Sequence, residues 1–434
     1  MKDLIKRVES YVGDQLGVRD QEDEIAGRPK MDGGTRRQFA QSLAQREANS
    51  ISTEMMQRGL SAPSAEEEQQ IVRAALDSLF GLGRLQQYID DPRWADIYVN
   101  GHDTVFLVTA DGQKFEGEPV ADSDEDLIAM IKAAGRRGTL SERMWDFANP
   151  TLDLNLPDGS RLNAVGWVVT RPSISIRRHN YAINDLKQLV GPTLSHSLFE
   201  FCKAAMRSRM NILVAAGTGV GKTTFLRCLI NEIPPEERLV TIEDSLELAL
   251  SKFPHLHPDL LETEAREANM EGEGAIPMET LVRNTLRMKP DRVIVGEIRG
   301  AEVLPMLLAM SQGNDGSLST IHADSSAQVF DRLRLYMSMT EQGFEASQTN
   351  MLVANSIDFI IQLRKLDDGK TRVIESIREV RGATEQNVES NEIYAPNDIG
   401  RAVPASAMSD ERMAKLTAAG FDHRLHTPQG GVWT

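Results

Sequence analysis

The sequence predicts an α/β protein: a parallel sheet covered by helices, preceded by a smaller α+β domain and an N-terminal helical segment. Three observations carry that prediction. From about residue 195, short apolar runs alternate with amphipathic helical stretches, the pattern of strand–helix units. One run, Asn211 to Ala216, leads directly into the glycine-rich stretch Gly217-Thr218-Gly219-Val220-Gly221-Lys222-Thr223, and a helical pattern follows. Between residues 61 and 180, short strand-like runs are separated by Asn100-Gly101 and Pro157-Asp158-Gly159, which are turn sequences.

Composition bounds the function. The chain has 434 residues, enough for two or three domains, with 48 Lys and Arg against 64 Asp and Glu, a formal charge of −16. With 41% hydrophobic and 26% charged residues it is neither disordered nor fibrous. The acidic balance argues against a protein that coats nucleic acid or an anionic membrane through its overall field. Cys202 and Cys228 are the only cysteines, which leaves no disulfide framework and no four-cysteine zinc site. A reducing, cytoplasmic location is the expectation. The N-terminus, MKDLIKRVESYVGDQLG, lacks the apolar core of a signal peptide. The densest apolar stretch, Val303 to Met310, contains a proline and falls far short of the 18 or so residues that span a bilayer. Membrane contact is therefore expected only through partner proteins or the surface.

Leu4, Ile5, Val8, Val12 and Leu16 have helical spacing, and a second helix is expected over Gln38 to Arg58. Residues 19–37 between them read as a linker, and residues 1–60 as a solvated helical extension. The α+β domain, residues 61–180, opens at Ser64, where Ser64 and Glu67 form a capping-box pattern. Ile71, Val72, Ala75, Leu76, Leu79 and Phe80 follow as one apolar face, and Gly81 and Gly83 end the helix. Strands are predicted at Trp94–Val99, Val105–Val108, Thr151–Leu156 and on through Ile176, with a helix over Leu127–Ala134. Residues 181–191 are a linker, and 192–385 the parallel-sheet domain. Its strands are Asn211–Ala216, Leu239–Ile242, Arg292–Val295 and Ser317–Ile321, with a helix over Lys222–Ile233. Ile357–Leu363 and Arg372–Ile377 flank a hairpin turn at Asp367-Asp368-Gly369-Lys370. Residues 386–434 read as a polar tail.

The chemistry concentrates at strand ends. Ala216 to Thr223 follow the phosphate-loop pattern G-x-x-x-x-G-K-[ST], with Ala216 in place of its first glycine. Gly217, Thr218, Gly219, Val220 and Gly221 would wrap backbone N–H groups around a phosphate. Lys222 would reach the β- and γ-phosphates of ATP, Thr223 would hold Mg²⁺, and Thr224 is counted with them as a nucleotide-binding residue. The run Arg292-Val293-Ile294-Val295-Gly296-Glu297 delivers Glu297 to the carboxyl edge of the sheet, where it would polarise a water directly or through Mg²⁺. Gly296 stands where an aspartate is usual. Glu243 and His322 end two more strands and are candidates for the metal or water shell and for sensing the γ-phosphate. Arg177, Arg178, Arg266, Arg283 and Arg287 are candidates for neutralising phosphate charge, with Arg283 and Arg287 expected on one helix face.

GTGVGKTT, TIEDSLEL, LVRNTLRMKPDRVIVGEIRGAE and STIHADS occur in this order and resemble the four characteristic segments of the type II/type IV secretion ATPase superfamily: the Walker A loop, an acidic box, an atypical Walker B with glutamate, and a histidine box. ADIYVNG and RPSISIRR point to the CpaF-type branch, the motor of tight-adherence (Tad/Flp) pili. The resemblance spans roughly residues 65–385. It implies a RecA-like P-loop NTPase domain, ATP hydrolysis with Mg²⁺, and a homohexameric ring. It also implies docking to a polytopic inner-membrane platform protein from the cytoplasmic face, with no zinc and no nucleic acid. Three alternatives remain: a conjugation or type IV secretion ATPase on the same fold, a RecA-like nucleic-acid-dependent ATPase, which the charge opposes, and a nucleotide-binding regulator with no motor role, which measurable turnover would exclude.

Overall fold

In a computed structural model, which describes residues 1–29, 31–137, 144–178, 181–266 and 273–427, the chain forms two units, residues 1–179 and 180–434. Three helices open the first: α1 (Lys2–Ile25), α2 (Gly33–Gln57) and α3 (Ala65–Phe80). Val8, Val12 and Leu16 of α1 meet Ala40, Leu43, Ala44 and Ile51 of α2 and Ile71, Val72 and Ala75 of α3 in one buried cluster. The solvated extension expected for residues 1–60 is thus corrected. Helix α1 continues through Ile25 and α2 starts at Gly33, so little of the 19–37 linker is left. Asp32 starts α2 by accepting from Gly34 N and Thr35 N, both at 3.0 Å. At the start of α3 Ser64 N donates to Glu67 Oε2 at 2.7 Å, and Glu67 N to Ser64 Oγ at 3.3 Å. The short α4 (Gln86–Asp90) leads into the sheet.

That sheet is antiparallel, in the order β3-β2-β1-β6-β5-β4. Its strands are β1 (Trp94–Asn100), β2 (Val105–Thr109), β3 (Lys114–Gly117), β4 (Thr151–Asn155), β5 (Arg161–Val165) and β6 (Ser173–Arg177). Alternate residues such as Ile97, Val99, Ile174 and Ile176 face a core shared with Leu127 and Ile131 of α5 (Asp124–Arg137). The turn after β1 requires glycine. Gly101 has φ +76°, and a Cβ there would lie 2.1 Å from Arg171 Cζ.

The second unit carries a nine-stranded sheet in the order β15-β14-β13-β12-β7-β11-β10-β8-β9. Six strands are parallel: β7 (Ile212–Ala216), β8 (Leu239–Glu243), β9 (Leu260–Glu264), β10 (Arg292–Ile298), β11 (Leu318–His322) and β12 (Phe359–Lys365). Three more, β13 (Arg372–Ala383), β14 (Val388–Pro396) and β15 (Ala402–Pro404), extend it as an antiparallel meander. The central strands are apolar on both faces because both are covered. Ile212 and Val214 of β7 pack into a cluster with α6 (His196–Arg207) and α7 (Lys222–Ile230). Leu213 and Ala215 pack into the opposite cluster with α9 (Val303–Ser311), α10 (Gln328–Ser338) and α11 (Ala346–Ser356). Each fully buried Val, Leu or Ile contributes about 1.5–3 kcal/mol of transfer free energy. The stretch expected to be a polar tail is corrected as well. β14 and β15 join the sheet, and α12 (Asp410–Ala418) buries Leu416 in the first of these clusters. Among the described residues no helix is long and apolar enough to cross a membrane.

Candidate functional site

Parallel strands all point their carboxyl ends the same way, so β7, β8, β10 and β11 deliver their last residues to one edge of the sheet. β7 ends at Ala216, directly beside His322 at the end of β11. β10 carries Glu297 and β8 ends at Glu243. The glycine-rich stretch folds over this edge. Gly219 and Gly221 adopt φ +72° and +105°, which lets the chain turn tightly before α7 begins at Lys222. Val220 is buried in the cluster beneath and pins the loop, while Thr218 and Gly219 are exposed. Gly217, Thr223 and Thr224 are half-buried. Ala216 is a strand residue outside the left-handed region, so the first position of the motif needs no glycine here.

Lys222 is the hub. Its side chain is only 8% exposed, and burial pulls its ammonium below the usual lysine range. Nζ lies 3.6 Å from Glu297 Oε1, and 3.1 and 3.2 Å from Nδ1 and Nε2 of His322. A neutral imidazole has one acceptor nitrogen, so only one of those two contacts is a hydrogen bond. Burial, and then the neighbouring Lys222 charge, hold His322 toward its neutral form. The remaining lysine contacts, to the Ala216 and Gly217 carbonyls, are long at 3.4 Å.

Glu297 Oε1 is buried and lies 2.9 Å from His322 Nε2 without the alignment of a hydrogen bond. Glu243 Oε1 is likewise buried and unbonded, while its Oε2 accepts from Glu247 N and Leu248 N, both at 2.9 Å. Burial pushes the Glu243 carboxyl up to about 8, and the two amide hydrogen bonds offset only part of the effect. Glu243 crowds Gly296. A Cβ at that position would lie 3.0 Å from Glu243 Cγ, so a larger residue there would need the Glu243 side chain to give way by a few tenths of an ångström. Thr223 Oγ1 donates to Glu247 Oε2 at 3.3 Å. A hydroxyl beside carboxylate oxygens is a hard-donor set that fits Mg²⁺.

The arginines separate into groups. Arg177 and Arg178 belong to the first unit, where Arg177 pairs with Asp96 and Arg178 donates to the Asp91 carbonyl. Arg266 donates to the Gly274 carbonyl. The shared helix face expected for Arg283 and Arg287 is corrected. Helix α8 (Met278–Thr285) ends before Arg287, which falls in the following turn, while Arg283 is held by Glu279 at 2.5 Å. Three residues without an assigned role stand at the site instead. Glu247 holds the Thr223 hydroxyl. Arg299 Nε donates to Glu297 Oε2 at 2.6 Å. A Cβ at Gly221 would sit 3.5 Å from Arg372 Cδ, and Arg372 has no ion pair among the described residues. Arg299 follows Glu297 by two positions, and that spacing alone places both on one side of an extended chain. Arg372 is 150 positions from the loop, and no local pattern announces it.

Residues 84–410 match the family model described as "Type II/IV secretion system protein". The chain belongs to that family. A protein of Mycobacterium tuberculosis (strain ATCC 25618 / H37Rv) that bears a conjugal transfer name is 30% identical over 356 residues, covering 80% of this chain and 97% of that protein. Protein VirB11 of Agrobacterium fabrum (strain C58 / ATCC 33970) is 31% identical over 314 residues, covering 65% and 88%. Among solved structures, the pilus retraction motor PilT with bound ADP matches with a TM-score of 0.51 at 19% identity, over 70% of this chain and 83% of that one. This last likeness is one of fold. Its strand–helix core is the α/β architecture the sequence predicts.

Proposed function

We propose that this protein hydrolyses ATP to drive a type II/IV secretion machine. The observation that carries the reading is the cluster at the carboxyl edge of the parallel sheet. There a buried lysine, a neutral histidine and a glutamate with one unbonded oxygen converge beneath the glycine-rich loop. In this reading the amides of Gly217 to Thr224 and Lys222 bind the β- and γ-phosphates. Thr223, freed from Glu247, would hold Mg²⁺, with the Glu243 and Glu247 carboxylates close by. Bound there, Mg²⁺ would supply charge neutralisation for the transferring phosphoryl group. Glu297 Oε1 orients a water, whose oxygen bonds to the γ-phosphorus as the bond to the bridging oxygen of ADP breaks. The water's proton passes to Glu297 and on to the released phosphate. His322, between Lys222 and Glu297, reports whether the γ-phosphate is present. Departure of the phosphate would release these contacts and let the two units move, as in other nucleotide switches.

The ring, the platform partner at the inner-membrane face, and arginines supplied across an interface by Arg177, Arg178, Arg283 or Arg287 belong to the same proposal. The conjugal transfer name of the mycobacterial relative favours a conjugation machine. ADIYVNG, which covers most of β1, and RPSISIRR, which covers β6, favour a tight-adherence pilus. Deleting the gene and restoring it with wild-type or Lys222→Ala protein tests both the role and the machine. Loss of conjugative transfer with pili intact selects the first, and loss of pili with transfer intact selects the second. A Lys222→Ala protein that restores either process would overturn the ATP-driven role.

A further inference from the structure

We propose that Arg299 is a positioning residue for Glu297: its guanidinium anchors one carboxylate oxygen so that the other is presented to the attacking water. The inference rests on the hydrolase reading above and gives a part to a residue that reading does not use. Arg299 Nε donates to Glu297 Oε2 at 2.6 Å, and Nη2 contacts the same oxygen. Both contacts converge on one oxygen, so Oε1 is left over. Oε1 is the atom that is buried, lacks an aligned hydrogen bond and faces Lys222 and His322. A carboxylate tethered through one oxygen cannot swing freely about its last torsion, and its second oxygen keeps a fixed direction.

The tether itself has a fixed base. Arg299 N and Gly300 N both donate to Oε1 of Glu302, a carboxylate only 8% exposed at the entrance to α9. Arg299 Nη1 also lies 3.5 Å from Asp244 Oδ2, just past the end of β8. The guanidinium thus joins the turns after β8 and β10, the two strands that supply Glu243 and Glu297. Stability does not account for the arrangement. The Arg299 side chain is 57% exposed, and an ion pair that exposed contributes little to folding. Its consequence is geometric, and misplacing a catalytic group by about 1 Å can cost on the order of 100-fold in rate.

The test is a double-mutant cycle on the full-length protein, read as phosphate release and as equilibrium binding of ATP with Mg²⁺. Arg299→Ala should lower kcat roughly 10- to 100-fold while the ATP dissociation constant changes less than about threefold. Arg299→Lys should recover part of the loss, because an ammonium can reach one carboxylate oxygen without the planar fork. In single turnovers, Arg299→Ala combined with Glu297→Gln should be no slower than Glu297→Gln alone, since the arginine acts through that carboxylate. Wild-type kcat in Arg299→Ala, beside an inactive Glu297→Gln, overturns this inference and leaves the hydrolase reading standing. A double variant slower by the product of the two single effects also overturns it, because Arg299 would then act on the phosphate independently. A wild-type protein with no more turnover than Lys222→Ala overturns both.

Discussion

Arg292 opens β10, five residues before Glu297, and its side chain is fully buried. Its Nε and Nη2 donate to the two oxygens of Glu237 at 2.8 and 2.7 Å, and Nη2 also donates to the Met206 carbonyl at 2.7 Å. Gly316, at φ +86°, leaves room for the guanidinium. A Cβ there would stand 2.6 Å from Nη1. Among the described residues Glu237 is the only anion hydrogen-bonded to Arg292, and Glu237→Ala removes it from a cation that cannot lose its proton. Breaking a buried pair from one side costs about 3–5 kcal/mol, because the remaining charge stays desolvated. For a unit of this size each kcal/mol shifts the melting temperature by about 2–4 °C, so Glu237→Ala should melt roughly 6–20 °C below wild type. Asp259→Ala is the control. It opens a pair with Arg238 whose side chains are 53% and 37% exposed, and should cost less than about 1 kcal/mol. Urea titration, followed by hydrogen exchange of the 292–298 peptide, reads the second unit without interference from the first. If Glu237→Ala lies within about 1 kcal/mol of wild type, the buried-charge argument is wrong and the base of β10 is held by apolar packing alone.

Two other outcomes follow from the same geometry. The Glu243 carboxyl is raised from its usual 4.5 to about 8 in the folded chain, so between those values the folded form holds more protons than the unfolded one. Stability contributed by this group therefore falls as pH rises from about 4.5 to about 8. Glu243→Gln should flatten the urea midpoint across that window and be the more stable protein at pH 9, whereas a slope parallel to wild type would remove Glu243 as the source. If the active species is a ring that fires cooperatively, adding Lys222→Ala subunits should lower phosphate release more than in proportion to their fraction. Strictly proportional loss would make each chain a self-sufficient ATPase.

Five of the six parallel strands are legible because they are short apolar runs bounded by polar residues, whereas β9, Leu260-Leu261-Glu262-Thr263-Glu264, has no such run and is not predicted. The loop after β7 is written in glycines whose backbone angles β7 and α7 demand. The ends of β8, β10 and β11 are legible for the same reason. An apolar run that stops at Glu243, Glu297 or His322 names the residue at the edge. What escapes is non-local. Helix α1 looks like an isolated amphipathic stretch, because the residues that cover Val8 and Val12 lie on α2 and α3. The C-terminal segment looks like a polar tail, because its anchors are far away in the chain. Tyr394 hydroxyl meets Ser197 Oγ at 2.9 Å, and Ser409 N donates to Glu379 Oε2 at 3.1 Å. Arg372 reaches the loop only because β13 runs antiparallel to β12, and β12 lies beside β7. Helix propensity and periodicity contain none of these pairings. The converse error has the same origin: Arg283 and Arg287 have helical spacing, but the helix ends between them.

The central claim is that Glu297 activates water while the loop and Lys222 hold the nucleotide. Glu297→Gln preserves shape and removes the charge. Incubated with ATP and Mg²⁺ and passed through a desalting column, wild-type protein should retain ADP. Glu297→Gln should retain intact ATP and release phosphate at least about 100-fold more slowly. Loss of bound nucleotide with substantial turnover remaining would contradict the account and make Glu297 a structural residue of the strand end.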